Sequence, residues 1–419
     1  MLIGIDDTDS RHGMCTGYLC AVLKTALERH LHETVHLHLI RLNPTIRFKT
    51  RGNAAVGLIT HGSDGVKEIV RAHIEDMACM QDDHTHPGAV FIDSDTPPPE
   101  IQHFSHQARR RELDLGYATK LIERNNVDFL MYKKGRGVIG ALAAAGATPE
   151  KEDHTYELIT YRYARNFKKP RYINRESIYQ ADKMTYPYTW DTIDHNNGSV
   201  VFSPRSRDPV LYGIRGDDPY HLFAAHSRII SEPHEYIALF ITNQGTDEHI
   251  QDEQMEALTE GGSYAVTGTV TVAPWAIEGG HIFFQVGEKK QTLLCVAFEP
   301  TKQFRETVKK LCEGDRVTVQ GSLINDCLHL EKLHIIELED QFKHTNPWCC
   351  NKRMKSRGKR KGYKCARCKA IKQHSDARDH HVTREVTRGI YEVVPSARRH
   401  LAKPLVRNRC LGYSIFPSR

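Results

Sequence analysis

The sequence predicts an α+β protein of several domains, and three observations carry this prediction. The chain has 419 residues, whereas a single hydrophobic core stops growing at roughly 250–300 residues. Strand-like and helix-like segments alternate up to about residue 250, and the next stretch contains strand-like segments around one short helix. From Lys343 onward the chain is basic and contains a cluster of cysteines.

The charge of the chain is unevenly distributed. Residues 343–419 hold 21 Lys and Arg against four acids, and the residues before them carry a net charge of −11, although the whole chain has a net charge of only +6. A basic segment on an acidic body is typical of a protein that binds a polyanion such as nucleic acid. Hydrophobic residues make up 39% and charged residues 26%, which excludes a membrane protein and a mainly disordered chain.

The N-terminal sequence MLIGIDDTDS has neither a cationic start nor an apolar core, so no export signal is expected. The longest weakly polar run, residues 137–147, is much shorter than the ~20 residues that span a bilayer. The eleven cysteines are an odd number, and only four of them cluster. We therefore expect a reduced, cytoplasmic protein with one metal site, no membrane contact and no obligate protein partner.

The first region has the order β-α-β-β-α-β. LIGID is predicted as a buried strand, and a helix follows to about residue 30 with Leu19, Leu23 and Leu27 on one face. VHLHLI and AAVGLIT are two further strands, and a helix near Val66–Met77 and the strand AVFIDSD complete the unit. This order is typical of a ferredoxin-like unit. The prolines at 97–99 end the pattern and start a new helix.

A second α/β region is predicted from about residue 113 to residue 247. Its helices are ATKLIERN, a Gly/Ala-rich segment after Gly140 and PYHLFAAHSRII, and its strands include DFLMY, YELITYRY, SVVFSP and YIALFIT. The boundary between the two regions lies between residues 90 and 160, and either region can be the ferredoxin-like unit.

From about Gly262 the pattern becomes all-β. Five strand-like runs, with a helical piece near residues 304–311 between the third and the fourth, have the order of an OB-fold. Trp275, Phe283 and Phe284 are candidates for stacking on nucleic-acid bases. We expect at least half of them to be core residues, because HIFFQV must bury one face.

Three carboxylates, Asp6, Asp7 and Asp9, follow the first strand at its carboxyl end, where ligands bind in open α/β sheets. Carboxylates this close repel one another unless a cation neutralises them, and Mg²⁺ is commonly shared between carboxylates and substrate phosphates. The spacing predicts a Mg²⁺–nucleotide site, with an anion at the helix start near Thr16. An acidic turn in which Asp or Ser caps the helix explains the same residues equally well.

Two further segments are candidates for phosphate binding. Arg47, Lys49 and Arg51 alternate along an extended segment and share a face, although a solvated edge strand explains this pattern better when it is taken alone. Gly135, Gly137 and Gly140 match the G-x-G-x-x-G dinucleotide fingerprint between a strand and a helix. The acid that should bind the ribose, Glu157, lies inside a strand instead of at its end, so a nicotinamide site is the weaker interpretation and close helix packing is the alternative.

The basic segment 343–372 predicts a zinc site. It holds twelve Lys and Arg and no acid, and Cys365-Ala-Arg-Cys368 is a C-x-x-C knuckle. Zinc takes four tetrahedral ligands, and the other two are the adjacent Cys349 and Cys350, or His344 in place of one of them. A basic arm without metal is the alternative. The basic residues expected to contact RNA are Arg353, Lys355, Arg357, Lys359, Arg360, Lys361, Arg398 and Arg399.

Several motifs together resemble one family. GIDDTDSRHGMCTGYL and KTRGNAAV, with GRGVIGALAA, YGIRGD, TNQGTD, RMKSRGKRKGYKCARC and ARRHLAKPL, are similar to the archaeal 2-agmatinylcytidine (agmatidine) synthetases that act on a minor isoleucine tRNA. The resemblance spans essentially the whole chain. It implies a kinase-like N-terminal domain (1–115), a ferredoxin-like α/β domain (116–255), an OB-fold β-barrel (262–338), a zinc-ribbon-like segment (343–372) and a basic tail (373–419).

The resemblance also implies an activity. The family attaches agmatine, with ATP, to C2 of the wobble cytidine of the isoleucine tRNA with the CAU anticodon, so that the anticodon reads AUA instead of AUG. The implied cofactors are ATP, Mg²⁺ and Zn²⁺, with Thr16 phosphorylated and Asp6, Asp7 and Asp9 serving Mg²⁺ and phosphoryl transfer. The residues expected to bind ATP or phosphate are Lys49, Arg51, Gly137 and Gly140.

Agmatine is a dication, so its pocket should contain carboxylates. Asp217, Asp218 and Asp247, at the ends of two polar strands, are the candidates. A non-enzymatic nucleic-acid-binding protein with OB and zinc modules remains the alternative, but it leaves the N-terminal aspartates and Thr16 without a role.

Overall fold

The first 250 residues form alternating strands and helices. The strands are β1 (Leu2–Asp6), β2 (His36–Arg41), β3 (Ala54–Ile59), β4 (Gly88–Ile92), β5 (Asp128–Met131), β6 (Thr155–Arg162), β7 (Thr189–Trp190), β8 (Ile193–Asp194), β9 (Ser199–Val200), β10 (Val210–Gly216), β11 (His234–Thr242) and β12 (Ile250–Asp252). The helices are α1 (Thr16–Leu31), α2 (Val66–Met77), α3 (Pro99–Ala108), α4 (Leu115–Arg124), α5 (Gly137–Ala145), α6 (Arg175–Thr185) and α7 (Pro219–Arg228).

The rest of the chain is mainly β. Five long strands, with α8 (Gln303–Val308) between the third and the fourth, are β13 (Ser263–Ala276), β14 (Ile282–Glu288), β15 (Gln291–Ala297), β16 (Arg316–Ile324) and β17 (Cys327–Glu337). The shorter strands are β18 (Gln341–Thr345), β19 (Trp348–Cys349), β20 (Lys352–Arg353), β21 (Lys355–Ser356), β22 (Tyr363–Lys364), β23 (Ile371–Lys372), β24 (Arg378–Val382), β25 (Gly389–Glu392) and β26 (Ile415–Phe416).

This computed structural model describes residues 1–49, 52–206, 208–358, 361–373, 375, 378–408 and 412–419. Three residues with predicted roles, Arg51, Lys359 and Arg360, lie outside the described residues. No helix in the described ranges combines the length and apolarity needed to cross a membrane.

One nine-stranded sheet contains two units with the same topology. Its order is β5-β4-β1-β3-β2-β11-β6-β10-β7. The first unit is β1-α1-β2-β3-α2-β4, and the second is β6-α6-β7-β10-α7-β11. Their strands lie in the orders β4-β1-β3-β2 and β11-β6-β10-β7, so each unit has its first strand between its fourth and its third and its second strand at the outer side of the third. The strands within each unit are antiparallel. The units join through the parallel pair β2–β11. The sequence shows no internal repeat, so the common topology appears only in the structure.

Alternating side chains bury both faces of this sheet. On β6, Ile159 packs with the cluster under α1 and α2, whereas its neighbour Leu158 packs with α6 and α7 on the other face. The alanine-rich α5 lies on β1 and β4, and Ala141 and Ala144 are fully or almost fully buried there. Helices therefore cover the middle of the sheet, and the site lies where strand ends meet loops.

The five long strands close into a barrel, because β16 pairs with both β13 and β17 while β14 and β15 complete the circuit. Phe284 is fully buried in its core. Trp275, by contrast, is 39% exposed and stacks with Phe283 at a centroid distance of 6.0 Å. The closed five-stranded barrel confirms the predicted strand order, and of the three aromatic residues only Phe284 lies in the core cluster.

Candidate functional site

A cavity of about 500 Å³ lies at the carboxyl end of β1. The residues predicted from sequence that line it are Asp6, Asp7, Asp9, Thr16, Lys49 and Gly140. The second βαββαβ unit contributes Glu157, Tyr161 and Arg215, and the C-terminal tail contributes His400. The cavity is therefore shared by three distant parts of the sequence.

Asp6 and Asp7 occupy different environments. Burial, together with the charges of Asp7 and Asp9, raises the pKa of Asp6 well above its usual range, and its Oδ1 accepts a hydrogen bond from the backbone N of Asp7 at 2.7 Å. Asp7 has a left-handed backbone (φ 59°) that ends the strand. Its Oδ2 accepts from Nη2 of Arg136 at 2.9 Å and from the backbone N of His86 at 3.2 Å. Asp7 is thus already neutralised, whereas Asp6 is not.

The three aspartates do not form a complete metal cage. Within the described part of the chain, two groups bring three or more ligand atoms within 4.8 Å of one another, and neither contains an N-terminal aspartate. One is the cysteine cluster, and the other, His106 with Glu152 and Glu248, is held by the buried guanidinium of Arg109. Mg²⁺ is commonly bound by one or two carboxylates plus substrate phosphates, and the aspartates fit that arrangement.

Thr16 is the first residue of α1 and is 7% exposed. Its Oγ1 accepts a hydrogen bond from the hydroxyl of the buried Thr8 at 3.1 Å. The N-cap residue is Cys15, and it makes no side-chain capping bond. The position that the acidic-turn interpretation gives to an Asp or a Ser is therefore a cysteine, and the positive end of the helix dipole lies beside the cavity.

The glycine pattern positions α5 against the strands. A Cβ on Gly140 would lie 1.8 Å from Oδ2 of Asp6, and a Cβ on Gly137 would lie 2.6 Å from the backbone N of Gly88. Gly140 lines the cavity, but Gly137 does not. The close-packing alternative therefore explains these glycines.

The acid that the dinucleotide interpretation requires has another role. Glu157 is buried in the middle of β6, where its carboxylate is 3.4 Å from Nη2 of Arg41 and 3.3 Å from Nε of Arg215. It is not at a strand end where a ribose would lie. The nicotinamide interpretation has no support in the structure.

The structure gives the three predicted agmatine residues other partners, and none of them lines the cavity. Asp217 accepts from Nε of Arg407 at 2.6 Å. Asp218 caps α7 by accepting from the backbone N of His221 at 3.0 Å. Asp247 pairs with Lys332 and accepts from the backbone N of Lys403 at 2.6 Å. Their Gly-containing sequences reflect turn and capping chemistry.

Glu157 and Asp208 are carboxylates of the second unit that do line the cavity. Asp208 belongs to none of the motifs that predict a site from the sequence, and Glu157 was expected only as a ribose ligand.

The four clustered cysteines form one site. The sulfurs of Cys349, Cys350, Cys365 and Cys368 lie within 4.8 Å of one another. Zn–S bonds of about 2.3 Å place tetrahedral sulfurs about 3.8 Å apart, so the spacing fits zinc. Left-handed backbone at Cys350 (φ 49°) lets adjacent cysteines point to one centre. Hydrogen bonds from the backbone N of Cys368 and of Arg367 lower the pKa of Cys365 to about 6, which favours its thiolate.

The alternative ligand His344 is not part of this cluster. Its Nε2 lies 2.8 Å from the hydroxyl of Tyr363. Around the cysteines, the predicted RNA-contacting residues Arg353, Lys355, Arg357 and Lys361 are all exposed. The guanidinium of Arg353 lies 5.6 Å from the ring centroid of Trp348, which is itself 60% exposed. This surface presents cations and an aromatic face together.

Arg398 was predicted to contact RNA, but it is buried in ion pairs. Its side chain is 2% exposed and pairs with the buried carboxylates of Asp191 and Glu392. A guanidinium held in this way has no face free for a phosphate. Arg399 is more accessible, and its Nη1 donates to Oγ of Ser322 at 2.6 Å.

The cavity presents carboxylates and a hydroxyl, and the chain also carries a β-barrel and an exposed cationic cysteine module. This combination is typical of a multidomain enzyme that acts on nucleic acid. Three family models match the chain: the TiaS TCKD domain at residues 2–88, the TiaS FLD domain at 135–249 and the TiaS C-terminal zinc ribbon domain at 346–390. The chain belongs to the TiaS family.

Relatives match along the whole length. The 2-agmatinylcytidine synthetase TiaS of Archaeoglobus fulgidus, which is named for an isoleucine tRNA, is 43% identical, with 99% of each chain covered. A crystal structure of TiaS with its isoleucine tRNA and ATP is 41% identical with a TM-score of 0.91, and one with this tRNA, AMPCPP and agmatine is 39% identical with a TM-score of 0.88. Each of these matches covers 99% of this chain and 99% of the chain in the crystal structure.

Proposed function

We propose that this protein attaches agmatine, at the expense of ATP, to C2 of the wobble cytidine of the isoleucine tRNA with the CAU anticodon. The full-length relatives named for this activity support the proposal, as do the family structures with the isoleucine tRNA, ATP and agmatine. The observation that carries it is the convergence of Asp6, Asp9, Thr16 and Lys49 on one cavity that both α/β units share.

The chemistry has two steps. The oxygen at C2 of cytosine is a poor leaving group until it is phosphorylated. The primary amine of agmatine then forms the C–N bond at C2 as the C–O bond to phosphate breaks. The protein must mainly position the reactants and neutralise charge. Mg²⁺, shared by the aspartates and the phosphates, would supply part of that neutralisation.

One of the cavity carboxylates must accept the proton that the amine loses as the C–N bond forms. Because Asp7 is paired with Arg136, we assign this proton to Asp6. Thr16 is placed for phosphorylation, because a phosphate on its Oγ1 would lie at the N-terminus of α1, where the helix dipole stabilises negative charge.

We also assign roles to the modules. The first unit would carry out phosphoryl transfer as a kinase-like domain, and the barrel, as an OB-fold, would bind RNA with the exposed Trp275. The βαββαβ topology of residues 155–242, which the first unit shares, supports a ferredoxin-like description of that part of residues 116–255, whereas β5 pairs with β4 of the first unit. The four cysteines would hold Zn²⁺ and so fix the basic surface for tRNA.

Incorporation of labelled agmatine into tRNA tests the site. We expect Asp9→Ala and Thr16→Ala to abolish incorporation while tRNA binding stays at the level of the unchanged protein. Lys309→Gln, a change on an exposed residue at the end of α8 that does not line the cavity, is the control. Full activity of both site variants would contradict the assignment. Absence of incorporation by the unchanged protein, with tRNA still bound, would favour a binding protein instead.

A further inference from the structure

The C-terminal tail is fixed between the α/β sheet and the barrel. Arg398 pairs with Asp191 of the second unit and with Glu392 of β25. Farther along, Nζ of Lys403 lies 2.7 Å from Oδ2 of Asp153. Ion pairs on both sides of residues 399–400 therefore hold this part of the tail in one place.

A second cavity of about 420 Å³ lies against this tail. Its charged and titratable lining residues are Arg41, Lys49, Arg399 and His400. Within the described residues, its lining contains no carboxylate. The first cavity shares Arg41, Lys49 and His400, but Arg399 lines only the second. The two cavities adjoin. Among the described residues, the charged side chains that line the second are all cations, whereas the first is lined by both carboxylates and cations.

The nearby carboxylates do not balance these cations. Glu157 is shared between the guanidinium groups of Arg41 and Arg215. Glu331 approaches Arg399 at 3.4 Å but also bonds Nε2 of the buried His249 at 3.0 Å. The ammonium of Lys49 donates to the carbonyl oxygen of Pro44. Positive charge is therefore in excess around the second cavity.

The excess positive charge affects His400, which also adds a hydrogen-bond donor to the cavity. The charge of Arg41 first, and then burial, Arg215 and Lys49, lower the pKa of His400 well below its usual range, so the imidazole is neutral. Because a guanidinium can only donate, Nδ1 of His400 must accept the bond from Nη2 of Arg215 at 3.1 Å. The proton of the neutral ring is therefore on Nε2.

Gly52 leaves these donors open. A Cβ at this exposed residue would lie 3.0 Å from Nη1 of Arg41 and 3.1 Å from Nε2 of His400. Any larger side chain would cover the two groups that face the cavity, and the sequence places no side chain there.

We propose that the second cavity is a phosphate-binding site completed by Arg399 and His400 of the tail. Guanidinium groups match the geometry of phosphate oxygens, and several converging cations suit a group with more than one negative charge. The proposal depends on the proposed function only for the source of the phosphate. That source is either the phosphate chain of ATP or the tRNA backbone beside the wobble cytidine.

Calorimetric titration of the full-length protein tests the site. The probes are inorganic tripolyphosphate, without agmatine, and a CAU anticodon stem-loop. We expect Arg399→Gln to weaken binding of one probe about tenfold, as the loss of one charge-assisted contact does, and Lys309→Gln to have no effect. If Arg399→Gln binds tripolyphosphate more weakly, the phosphate comes from the ATP chain. If it binds only the stem-loop more weakly, the phosphate comes from the tRNA backbone. Unchanged binding of both probes overturns the proposal.

Gly52→Val separates the site from folding effects. It removes no charge and changes an exposed residue, so the melting temperature should stay the same while binding weakens as in Arg399→Gln. Unweakened binding by Gly52→Val would contradict the proposed location. A protein that binds tripolyphosphate through Arg399 but adds no agmatine to tRNA would retain this site and refute the proposed function.

Discussion

Individual contacts decide which residues can do chemistry in the first cavity. Asp6 lies against the Cα of Gly140, where even a methyl group would displace its carboxylate. The aspartates and Thr16 were predictable, because a strand end followed by a helix start brings near neighbours in sequence together. Arg215 and His400 were not predictable as site residues, because they come from the end of β10 and from the tail, and only tertiary packing brings them together beside Glu157.

Alanine at two glycines should separate positioning from packing. Gly140→Ala is expected to lower activity about 100-fold by displacing Asp6, with a smaller loss of stability than Gly137→Ala, because the added methyl meets the side chain of Asp6 and not backbone atoms. Gly137→Ala meets backbone atoms of Gly88 and His86 and should mainly lower the melting temperature. Equal activity of Gly140→Ala and the unchanged protein would argue against Asp6 as a site residue.

The hydroxyl of Tyr161, in the wall of the first cavity, gives a second prediction. Among the described residues, the buried hydroxyl of Tyr161 has no hydrogen-bond partner, and such a group costs ~1–3 kcal/mol. Tyr161→Phe should therefore raise the free energy of unfolding by about 1 kcal/mol. Tyr212→Phe is the matched control and should lower it, because the hydroxyl of Tyr212 lies 2.9 Å from Nδ1 of His226. Denaturant unfolding measures both, and destabilisation by Tyr161→Phe would be inconsistent with an unpartnered hydroxyl.

Periodicity identified most elements, but not how they join. The five barrel strands were predicted in order because each alternates and ends at turn residues. Helix α6 was missed because its sequence, RESIYQADKMT, is largely polar, and SVVFSP forms only the two-residue strand β9. The parallel pair β2–β11, which builds the shared cavity, links segments about 200 residues apart and leaves no local pattern.

The contact between sheet and barrel should be sensitive to acid. Although burial opposes it, the charges of His249, Arg399 and Lys332 hold the pKa of Glu331 to about 2, below its usual 4.5. A lowered carboxylate pKa contributes stability that is complete above about pH 4.5 and is lost as the pH falls towards 2. Glu331→Gln should therefore lower the melting temperature at pH 7 and flatten its dependence between these values. If the melting temperatures of Glu331→Gln and of the unchanged protein changed with pH in the same way, the ion pairs of Glu331 would contribute nothing to stability.

The charge of the whole molecule has two uses. Part of the basic C-terminal region is exposed around the cysteines, as with Arg353 and Lys355. Another part, including Arg398 and Arg407, is buried in ion pairs that fix the tail. Composition alone indicated a polyanion partner, but it could not separate these two sets, because burial depends on the fold.

The exposed set predicts a salt effect. Arg353→Gln and Lys355→Gln should each weaken tRNA binding and reduce the slope of log affinity against log salt concentration by about 1. Glu288→Gln, a change of opposite sign on the barrel, serves as the control and should not reduce the slope. Slopes measured by filter binding over several salt concentrations decide this, and an unchanged slope in both variants would place the tRNA elsewhere.

Mass spectrometry of the wobble nucleoside is the decisive test of the proposed activity. After incubation of the protein with the CAU-anticodon isoleucine tRNA, ATP, Mg²⁺ and agmatine, we expect a cytidine heavier by the mass of agmatine less one water, and only at the wobble position. An unmodified cytidine, under conditions in which the tRNA is bound, would contradict it.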